Sequence, residues 1–309
     1  MKAVWSLWSK PLSRGRHPGW LSHKHHLLSW VLSTELASRH YPETSLVTDD
    51  EGAAMLVDGL GLQFDSVSLA LNRLEHHDPE WWAMGKLYAY AMQDEPFVHI
   101  DNDVFLWEPL PEALQQAPVF AQHPEYTTIG ASFYRPESIE HDIRRHGGWM
   151  PEEFEHYMPI GGVLKAENCG ILGGTHTDFI RHYAEQAIRF IEHPANQEVW
   201  QRRPRRDQDF VTFEQLMLSA CLAYHQGRAD SPFADVALAH LFSSYEDATT
   251  RADQCGYTHL VAGSKRDPEL AAHLERVVAR QDPAQYQRCL DFVTERDDHE
   301  SRATAHAVG

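Results

Sequence analysis

The sequence has little cysteine and no long apolar run. Its four cysteines (Cys169, Cys221, Cys255 and Cys289) are far apart and form no C-x-x-C pair, so neither a cysteine-based zinc site nor a disulfide scaffold is expected. No segment approaches the ~18 uninterrupted apolar residues that indicate a membrane helix. The apolar stretch 1–8 is too short for a signal peptide and is expected to form a first strand. We therefore expect a cytoplasmic protein with no integral membrane segment.

Basic residues are also scarce. The 309 residues include 27 Lys and Arg against 45 Asp and Glu, which gives a formal net charge of −18. A field of this sign repels polyanions, so nucleic acid is not an expected partner. Hydrophobic residues make up 42% of the chain, enough to fill a sizeable core at this length. The 21 histidines share no metal-ligand spacing along the sequence, and most are expected at solvated helix ends and loops.

Strands and helices alternate along the first hundred residues. Because each apolar strand is followed by a helix, the pattern predicts an α/β fold with a mostly parallel central sheet flanked by helices. The predicted strands are 4–8, 45–48, 64–69 and 97–100, and the predicted helices are 22–39, 51–60 and 79–93.

The second half is less regular but shows no internal repeat and no linker that divides it. We expect a single domain over residues 1–295 and a polar, disordered tail over 296–309. Residues 124–159 are predicted to be rich in loops with a short helix near 152–157, and 202–206 to form a basic loop. The predicted strands here are 119–121, 170–172 and 236–241, and the predicted helices are 178–192, 212–225 and 268–280.

One acidic triplet stands where ligands bind in open α/β sheets. Asp101-Asn102-Asp103 directly follows the apolar strand 97–100, at the carboxyl end of that strand. Two carboxylates one residue apart on a tight turn can converge on a hard divalent cation, which in turn bridges phosphate oxygens. A D-x-D triplet alone is weak evidence, since Asp207-Gln208-Asp209 is a second one. A solvated turn at the strand end is the alternative.

The surroundings of this triplet resemble a known family. Residues 85–104, with Lys86 on a helix before the strand, look like the central block of GT-A-fold glycosyltransferases, and most closely the glycogenin-like retaining group. Three further blocks follow in the family's order: 167–172 around Asn168 and Gly170, 213–218 around Glu214 and Gln215, and 259–265 with His259, Gly263 and Lys265.

The chain departs from the family pattern at three positions. Gly263 stands four residues after His259, where the family usually has its glycine three residues after the histidine. Glu214 stands in place of an aspartate, and Cys169 in place of a serine.

The resemblance implies a single GT-A domain, a Rossmann-like nucleotide-diphospho-sugar transferase fold, that moves a sugar from a nucleoside diphosphate-sugar, expected to be a UDP-sugar, to an unknown acceptor with retention. Asp101, Asp103 and His259 would hold Mn²⁺ or Mg²⁺, which neutralises charge on the departing diphosphate. Glu214 would be catalytic, as a base or as a group that orients the sugar. The implied donor-binding residues are Lys86, Asn102, Asn168, Gly170, Gln215, Gly263 and Lys265.

Each of these residues has an ordinary alternative. His259 could be a hydrogen-bonded histidine near a strand end, Lys86 an exposed helix lysine, and Glu214 a carboxylate favoured by a helix N-terminus. Two other functions also stay open. A sugar-phosphate nucleotidyltransferase is disfavoured because residues 13–16 only faintly resemble a basic, glycine-rich phosphate loop. A non-catalytic nucleotide- or sugar-binding module would be favoured by an unassembled metal triad, or by a Glu214 that points away from the pocket. The acceptor, the sugar of the donor and the oligomeric state are not determined by the sequence.

Overall fold

The fold was examined in a computed structural model, which describes residues 1–13, 19–128, 134–158, 162–203 and 206–307. Within these residues, a seven-stranded sheet and a two-stranded sheet are surrounded by helices. The strands are β1 (Lys2–Leu7), β2 (Thr44–Thr48), β3 (Ser66–Ser68), β4 (Phe97–Ile100), β5 (Val104–Leu106), β6 (Val119–Thr128), β7 (Val163–Gly174), β8 (Leu238–His240) and β9 (Tyr257–His259).

Most of the remaining chain is helical. The α-helices are α1 (Lys10–Ser13), α2 (His23–Ser38), α3 (Asp50–Ala53), α4 (Met84–Ala91), α5 (Glu112–Gln115), α6 (Pro136–His146), α7 (Glu152–Tyr157), α8 (Thr177–Glu192), α9 (Gln197–Arg202), α10 (Arg206–Val211), α11 (Met217–His225), α12 (Tyr245–Arg251), α13 (Pro268–Gln281) and α14 (Pro283–Ala307). Ala54–Gly59 and Thr212–Leu216 are π-helical turns that continue or precede α-helices. None of the helices in the described ranges has both the length and the apolar character that a membrane crossing requires.

The large sheet has the strand order β3-β2-β1-β4-β7-β6-β8. Strands β3, β2, β1 and β4 run parallel to one another, and β8 runs parallel to β6. Only β7 is antiparallel to its neighbours β4 and β6. The predicted α/β class, with a mostly parallel central sheet flanked by helices, is therefore confirmed.

The sheet separates two hydrophobic cores, and β1 shows why. Val4 faces one core, while Ala3, Trp5 and Leu7 face the other, because successive side chains of a strand point to opposite faces. The first core is packed by α4, α8 and α11, and the second by α2, α13 and α14. A strand buried on both faces is apolar throughout, which is why β1 was visible in the sequence.

The region between residues 119 and 174 differs most from expectation. Residues 124–159 were predicted to be loop-rich with a short helix near 152–157, which α7 confirms, but β6 extends to Thr128 and α6 follows it. Strand β7 has twelve residues rather than three. Its first half contains Lys165 and Glu167, which form an ion pair at 2.8 Å. These charged residues interrupt the apolar run by which a buried strand is predicted. Helix α6 buries only Pro136, Ile139 and Ile143; their spacing is helical, but the apolar face is narrow and the rest of the segment is polar.

Two further segments differ in detail. The basic stretch 202–206 is not simply a loop, because α9 ends at Arg202 and α10 begins at Arg206; residues 204–205 lie outside the described residues. The backbone of α14 continues to Ala307, whereas the sequence predicted a disordered tail from residue 296.

Candidate active site

The Asp101–Asp103 triplet lies in the turn between β4 and β5. The turn is closed by the backbone N–H of Val104, which donates to the carbonyl of Asp101 at 3.0 Å. Strand β5 then pairs with β9, and the ladder places Val104 opposite His259. A histidine more than 150 positions away in sequence is thereby held beside the triplet. The structure brings together the three residues that the sequence predicted as metal ligands.

The three side chains are arranged as a cation site would require. One ligand atom from each of Asp101, Asp103 and His259 lies within 4.8 Å of the others. His259 Nε2 is 3.5 Å from Asp103 Oδ1. That Oδ1 atom is buried and has no hydrogen-bond partner in the described part of the chain. Buried polar atoms are nearly always satisfied, so an orphaned carboxylate oxygen beside an imidazole nitrogen suits a divalent cation.

The orientation of His259 is determined by Gln122, a residue for which the sequence gave no signal. His259 Nδ1 lies 2.7 Å from Gln122 Oε1, which also accepts the hydroxyl of Tyr257 at 2.8 Å. An amide oxygen has no proton to donate, so the hydrogen bond between Gln122 and His259 must use a proton on Nδ1. The lone pair of His259 is then on Nε2, which faces the carboxylates. Gln122 thus acts as the outer partner that metal-bound histidines usually have.

Gly170 on β7 makes room for this pair. A Cβ at position 170 would lie 2.5 Å from Gln122 Oε1 and 2.5 Å from Cε1 of His259. The backbone carbonyl of Gly170 accepts the N–H of Asp101 at 2.9 Å. The resemblance implied Gly170 as a donor-binding residue; in the structure its missing side chain leaves space for His259.

Two lysines accompany the carboxylates. Lys86 Nζ contacts both carboxylate oxygens of Asp101, at 2.9 and 3.0 Å, and also pairs with Glu214. Lys265 pairs with Asp103. Burial opposes the charged form of Lys86, but Asp101 and Glu214 outweigh it and raise the pKa of the lysine. Lys86 is therefore positively charged.

The two aspartates differ in their electrostatic surroundings. Burial would raise the pKa of Asp103, but the charge of Lys265 holds it well below the usual range. Burial raises the pKa of Asp101, with Asp103 and Glu214 adding to the effect against the opposing charge of Lys86. Asp103 is thus the firmly ionised carboxylate of the pair.

Glu214 lies behind Lys86. Its side chain is 2% exposed, pairs with Lys86 and accepts the hydroxyl of Tyr90 at 3.2 Å. The hydroxyl of Tyr183 donates to its backbone carbonyl at 2.8 Å. The sequence predicted a carboxylate beside the transferred sugar. In the structure this carboxylate is a buried partner of Lys86, because the π-helical turn Thr212–Leu216 packs against β7 beneath the site.

A cavity of about 1060 Å³ opens above Asp101 and Asp103, at the upper end of the 300–1,000 Å³ that is usual for small-molecule sites. The predicted residues Lys86, Asn102, Gly263 and Lys265 line it, and Asn102 also donates to Ser29 Oγ at 2.8 Å. Its walls are rich in aromatic side chains. The tryptophans that line the cavity are Trp8, Trp20, Trp30 and Trp82.

Asn168 and Gln215 were predicted to contact the donor, and neither is among the cavity's lining residues. Asn168 donates to Glu125 Oε1 at 2.8 Å and accepts the N–H of Gly170 at 3.1 Å. Gln215 accepts the hydroxyl of Tyr134. Their polar groups belong to a network below the cavity.

The departure from the family pattern at Gly263 has a structural counterpart. Ala262, which stands three residues after His259, has φ = 48° and is the one non-glycine residue with positive φ in the described ranges. A Cβ at Gly263 would meet nothing within 4 Å. The left-handed backbone conformation is thus adopted by Ala262 and not by the glycine that follows it, at a cost of roughly 1–2 kcal/mol. Ala262 also lines the cavity. Strain of this kind clusters at functional sites.

In the second D-x-D triplet, 207–209, the side chain of Asp209 has a structural role. Both oxygens of Asp209 accept the guanidinium of Arg203, at 2.9 and 2.8 Å. Arg206 in turn pairs with Asp78 and Glu80. These arginines connect neighbouring segments through ion pairs and do not form a free basic patch.

The fold and the site together define an α/β protein with a candidate divalent-cation site at the carboxyl edge of a mostly parallel sheet. The chain belongs to DUF6734, a family of unknown function, whose model matches residues 1–292. None of the curated proteins compared with the chain matches it.

Two solved structures that resemble the chain are both of LgtC. One is the galactosyltransferase LgtC in complex with donor and acceptor sugar analogues, at 12% identity and a TM-score of 0.34, covering 69% of this chain and 70% of that chain. The other is an active-site mutant of LgtC, at 11% identity and a TM-score of 0.38, covering 88% of this chain and 96% of that chain.

Proposed function

We propose that this protein is a metal-dependent glycosyltransferase that moves a sugar from a nucleoside diphosphate-sugar, a UDP-sugar in the first instance, to an acceptor, with retention. One observation carries the proposal: Asp101, Asp103 and His259 each direct a ligand atom to one small region, and the two aspartates line a large, aromatic-walled cavity together with Lys86 and Lys265. The GT-A resemblance of the sequence blocks supports the same assignment.

The charge of the site favours an anionic ligand that arrives with a cation. Three carboxylates, those of Asp101, Asp103 and Glu214, surround two lysine ammonium groups. Beside the carboxylates of Asp101 and Asp103, the phosphate oxygens of a diphosphate would be repelled at close range unless a divalent cation lay between them. Asp101, Asp103 and His259 would hold Mn²⁺ or Mg²⁺, which supplies Lewis-acid neutralisation of the leaving diphosphate when bound.

Different side chains of the cavity would contact different parts of the donor. Lys265 lines the cavity beside Asp103 and would contact a phosphate, and Asn102 would meet the donor at the same floor. The indole rings of the cavity offer flat apolar surfaces for a base or a sugar ring. Glu214 acts in this scheme as a positioning residue that holds Lys86, since its carboxylate lies behind the lysine.

Calorimetric titration with UDP, with and without Mn²⁺, tests the proposal. We expect UDP binding that requires Mn²⁺, weaker binding of GDP, and loss of binding in Asp103→Asn. Asp230→Asn is the matched control, because the Asp230 side chain is 80% exposed and pairs only loosely with Arg228, at 3.6 Å. Absence of metal-dependent binding of either nucleotide, or unchanged binding in Asp103→Asn, would refute the donor site.

A non-catalytic nucleotide-sugar-binding module is the second candidate. The observation that favours it is the position of Glu214, which leaves the cavity wall without the predicted catalytic carboxylate. A panel of UDP-sugars separates the two functions. Metal-dependent release of UDP supports the transferase, whereas tight binding without any turnover supports the binding module.

A further inference from the structure

A second group of potential metal ligands lies among three helices and shares no residue with the candidate active site. Glu153 on α7, His182 on α8 and His225, the last residue of α11, each direct one ligand atom to a common point. We propose that these residues form a zinc site that ties the three helices together.

The contacts within the cluster are difficult to satisfy with protons alone. His182 Nε2 lies 2.9 Å from Glu153 Oε1 and 3.0 Å from His225 Nε2, and His225 Nε2 lies 3.6 Å from the same carboxylate oxygen. If His182 Nε2 carries a proton, that proton can point well at only one of its two close neighbours. If His182 Nε2 carries none, its lone pair faces the carboxylate oxygen of Glu153 at 2.9 Å with no proton between them. A cation accepts all three lone pairs at once.

The spacing suits zinc. A circle through three atoms that are 2.9, 3.0 and 3.6 Å apart has a radius of about 1.9 Å. Zinc takes histidine nitrogen and carboxylate oxygen at roughly 2.0–2.2 Å. An ion would therefore lie slightly to one side of the plane of the three atoms, and a water molecule can complete a tetrahedron on that side.

The surroundings prepare His225 for this role. Its Nδ1 lies 2.8 Å from Ser231 Oγ, which also accepts the N–H of Phe233 at 3.0 Å. With Nδ1–H donated to Ser231, the Nε2 lone pair faces the cluster, as in other metal-bound histidines.

The surroundings of the cluster combine an apolar wall with an opening to solvent. The ring of Phe233 lies 5.3 Å from His225 and 5.1 Å from His182, which gives the site an apolar wall. The side chain of His182 is 25% exposed, so an ion can reach the cluster from solvent.

The donor set distinguishes this cluster from the active-site triad. Two imidazoles and one carboxylate favour Zn²⁺, while two carboxylates and one imidazole favour a harder ion such as Mn²⁺. The experiment therefore uses the full chain with Asp103→Asn, so that the triad is impaired. The protein is stripped with a chelator, dialysed and titrated with Zn²⁺ alone, and Co²⁺ serves as the spectroscopic probe.

We expect one Zn²⁺ per chain, a higher melting temperature with Zn²⁺, and the visible absorption of four-coordinate Co²⁺. Adding His182→Asn or Glu153→Gln should weaken Zn²⁺ binding at least tenfold and abolish the Co²⁺ spectrum. Adding His156→Asn, an exposed histidine on the same helix α7, should change neither. Glu153→Gln preserves side-chain size, so it still tests the zinc site if the His182→Asn protein fails to fold.

Three outcomes would overturn the zinc site. One is a protein that binds no Zn²⁺, and another is binding that is unchanged by both cluster substitutions. The third is a melting temperature that Zn²⁺ does not raise in the parent protein. Any of these would show that the cluster is held by hydrogen bonds only.

Discussion

Replacing Gly170 by alanine tests the packing on which the metal site depends. The added Cβ would lie 2.5 Å from Gln122 Oε1, 2.5 Å from His259 Cε1 and 2.6 Å from His259 Nδ1. Ordinary van der Waals contact begins near 3.4 Å, so the amide and the ring must each retreat by about 1 Å. These are the two groups joined by the 2.7 Å hydrogen bond that orients His259.

The expected cost has two parts. Overpacking of a well-packed interior costs about 1–3 kcal/mol, which we expect as a lower free energy of unfolding in urea with the protein held in chelator. Loss of an outer-shell partner typically weakens metal binding by about 10–100-fold, which we expect as a rise in the Kd for Mn²⁺ measured by calorimetry. The second effect is the specific one, since general destabilisation does not by itself alter metal affinity in a folded protein.

Gly263→Ala is the matched control. Gly263 lines the same cavity, and a Cβ there would meet nothing within 4 Å. We expect both its stability and its Mn²⁺ affinity to stay close to those of the parent. If Gly170→Ala were as stable and as tight a Mn²⁺ binder as Gly263→Ala, then Gly170 would not be what keeps His259 in position.

The remaining predictions concern the charged groups of the site and its strained backbone. Glu214→Gln should leave UDP binding within a few fold and lower kcat, because it loosens Lys86; unchanged turnover in a UDP-sugar assay would remove Glu214 from the mechanism. Lys86→Met should destabilise the protein by about 3 kcal/mol in urea unfolding, since Asp101 and Glu214 would lose their common counter-ion; a stability equal to the parent's would show that the pairs contribute little. The pKa of Asp103 is lowered, so its contribution to stability is present above about pH 4 and is lost as the pH falls. Asp103→Asn should therefore flatten the acid side of the stability profile of the metal-free protein. The pKa of Asp101 is raised, so Asp101→Asn should gain stability relative to the parent as the pH rises above about 4. For either variant, a plot of unfolding free energy against pH that runs parallel to the parent's would contradict the direction given for that aspartate. Ala262→Val should lose at least 1 kcal/mol more in urea than Ala262→Gly, because a β-branched residue tolerates φ = 48° poorly, and equal stabilities would mean that this turn relaxes.

Local pattern was sufficient for the central part of the molecule. Strands β1, β2 and β4 are buried on both faces, and an apolar run between polar turns is a signal that requires no knowledge of the neighbours. The same signal fails for the first half of β7, where Glu167 is buried and bonds Ser219 and His240. A polar residue whose hydrogen-bond partners are distant in the sequence looks like a loop residue when only the sequence is considered.

The sequence by itself determined the α/β class, the two carboxylates at the end of β4 and the lysine on the preceding helix, because strand–helix alternation is a local pattern and the three charged residues lie within the single stretch 86–103. Only the tertiary structure decided the rest. The β5–β9 ladder brings His259 beside Asp103, the turn that carries Glu214 places its carboxylate behind Lys86, and three separate helices direct Glu153, His182 and His225 to one point. Each of these contacts joins residues that are distant in the chain, and their meeting depends on how strands pair and helices pack.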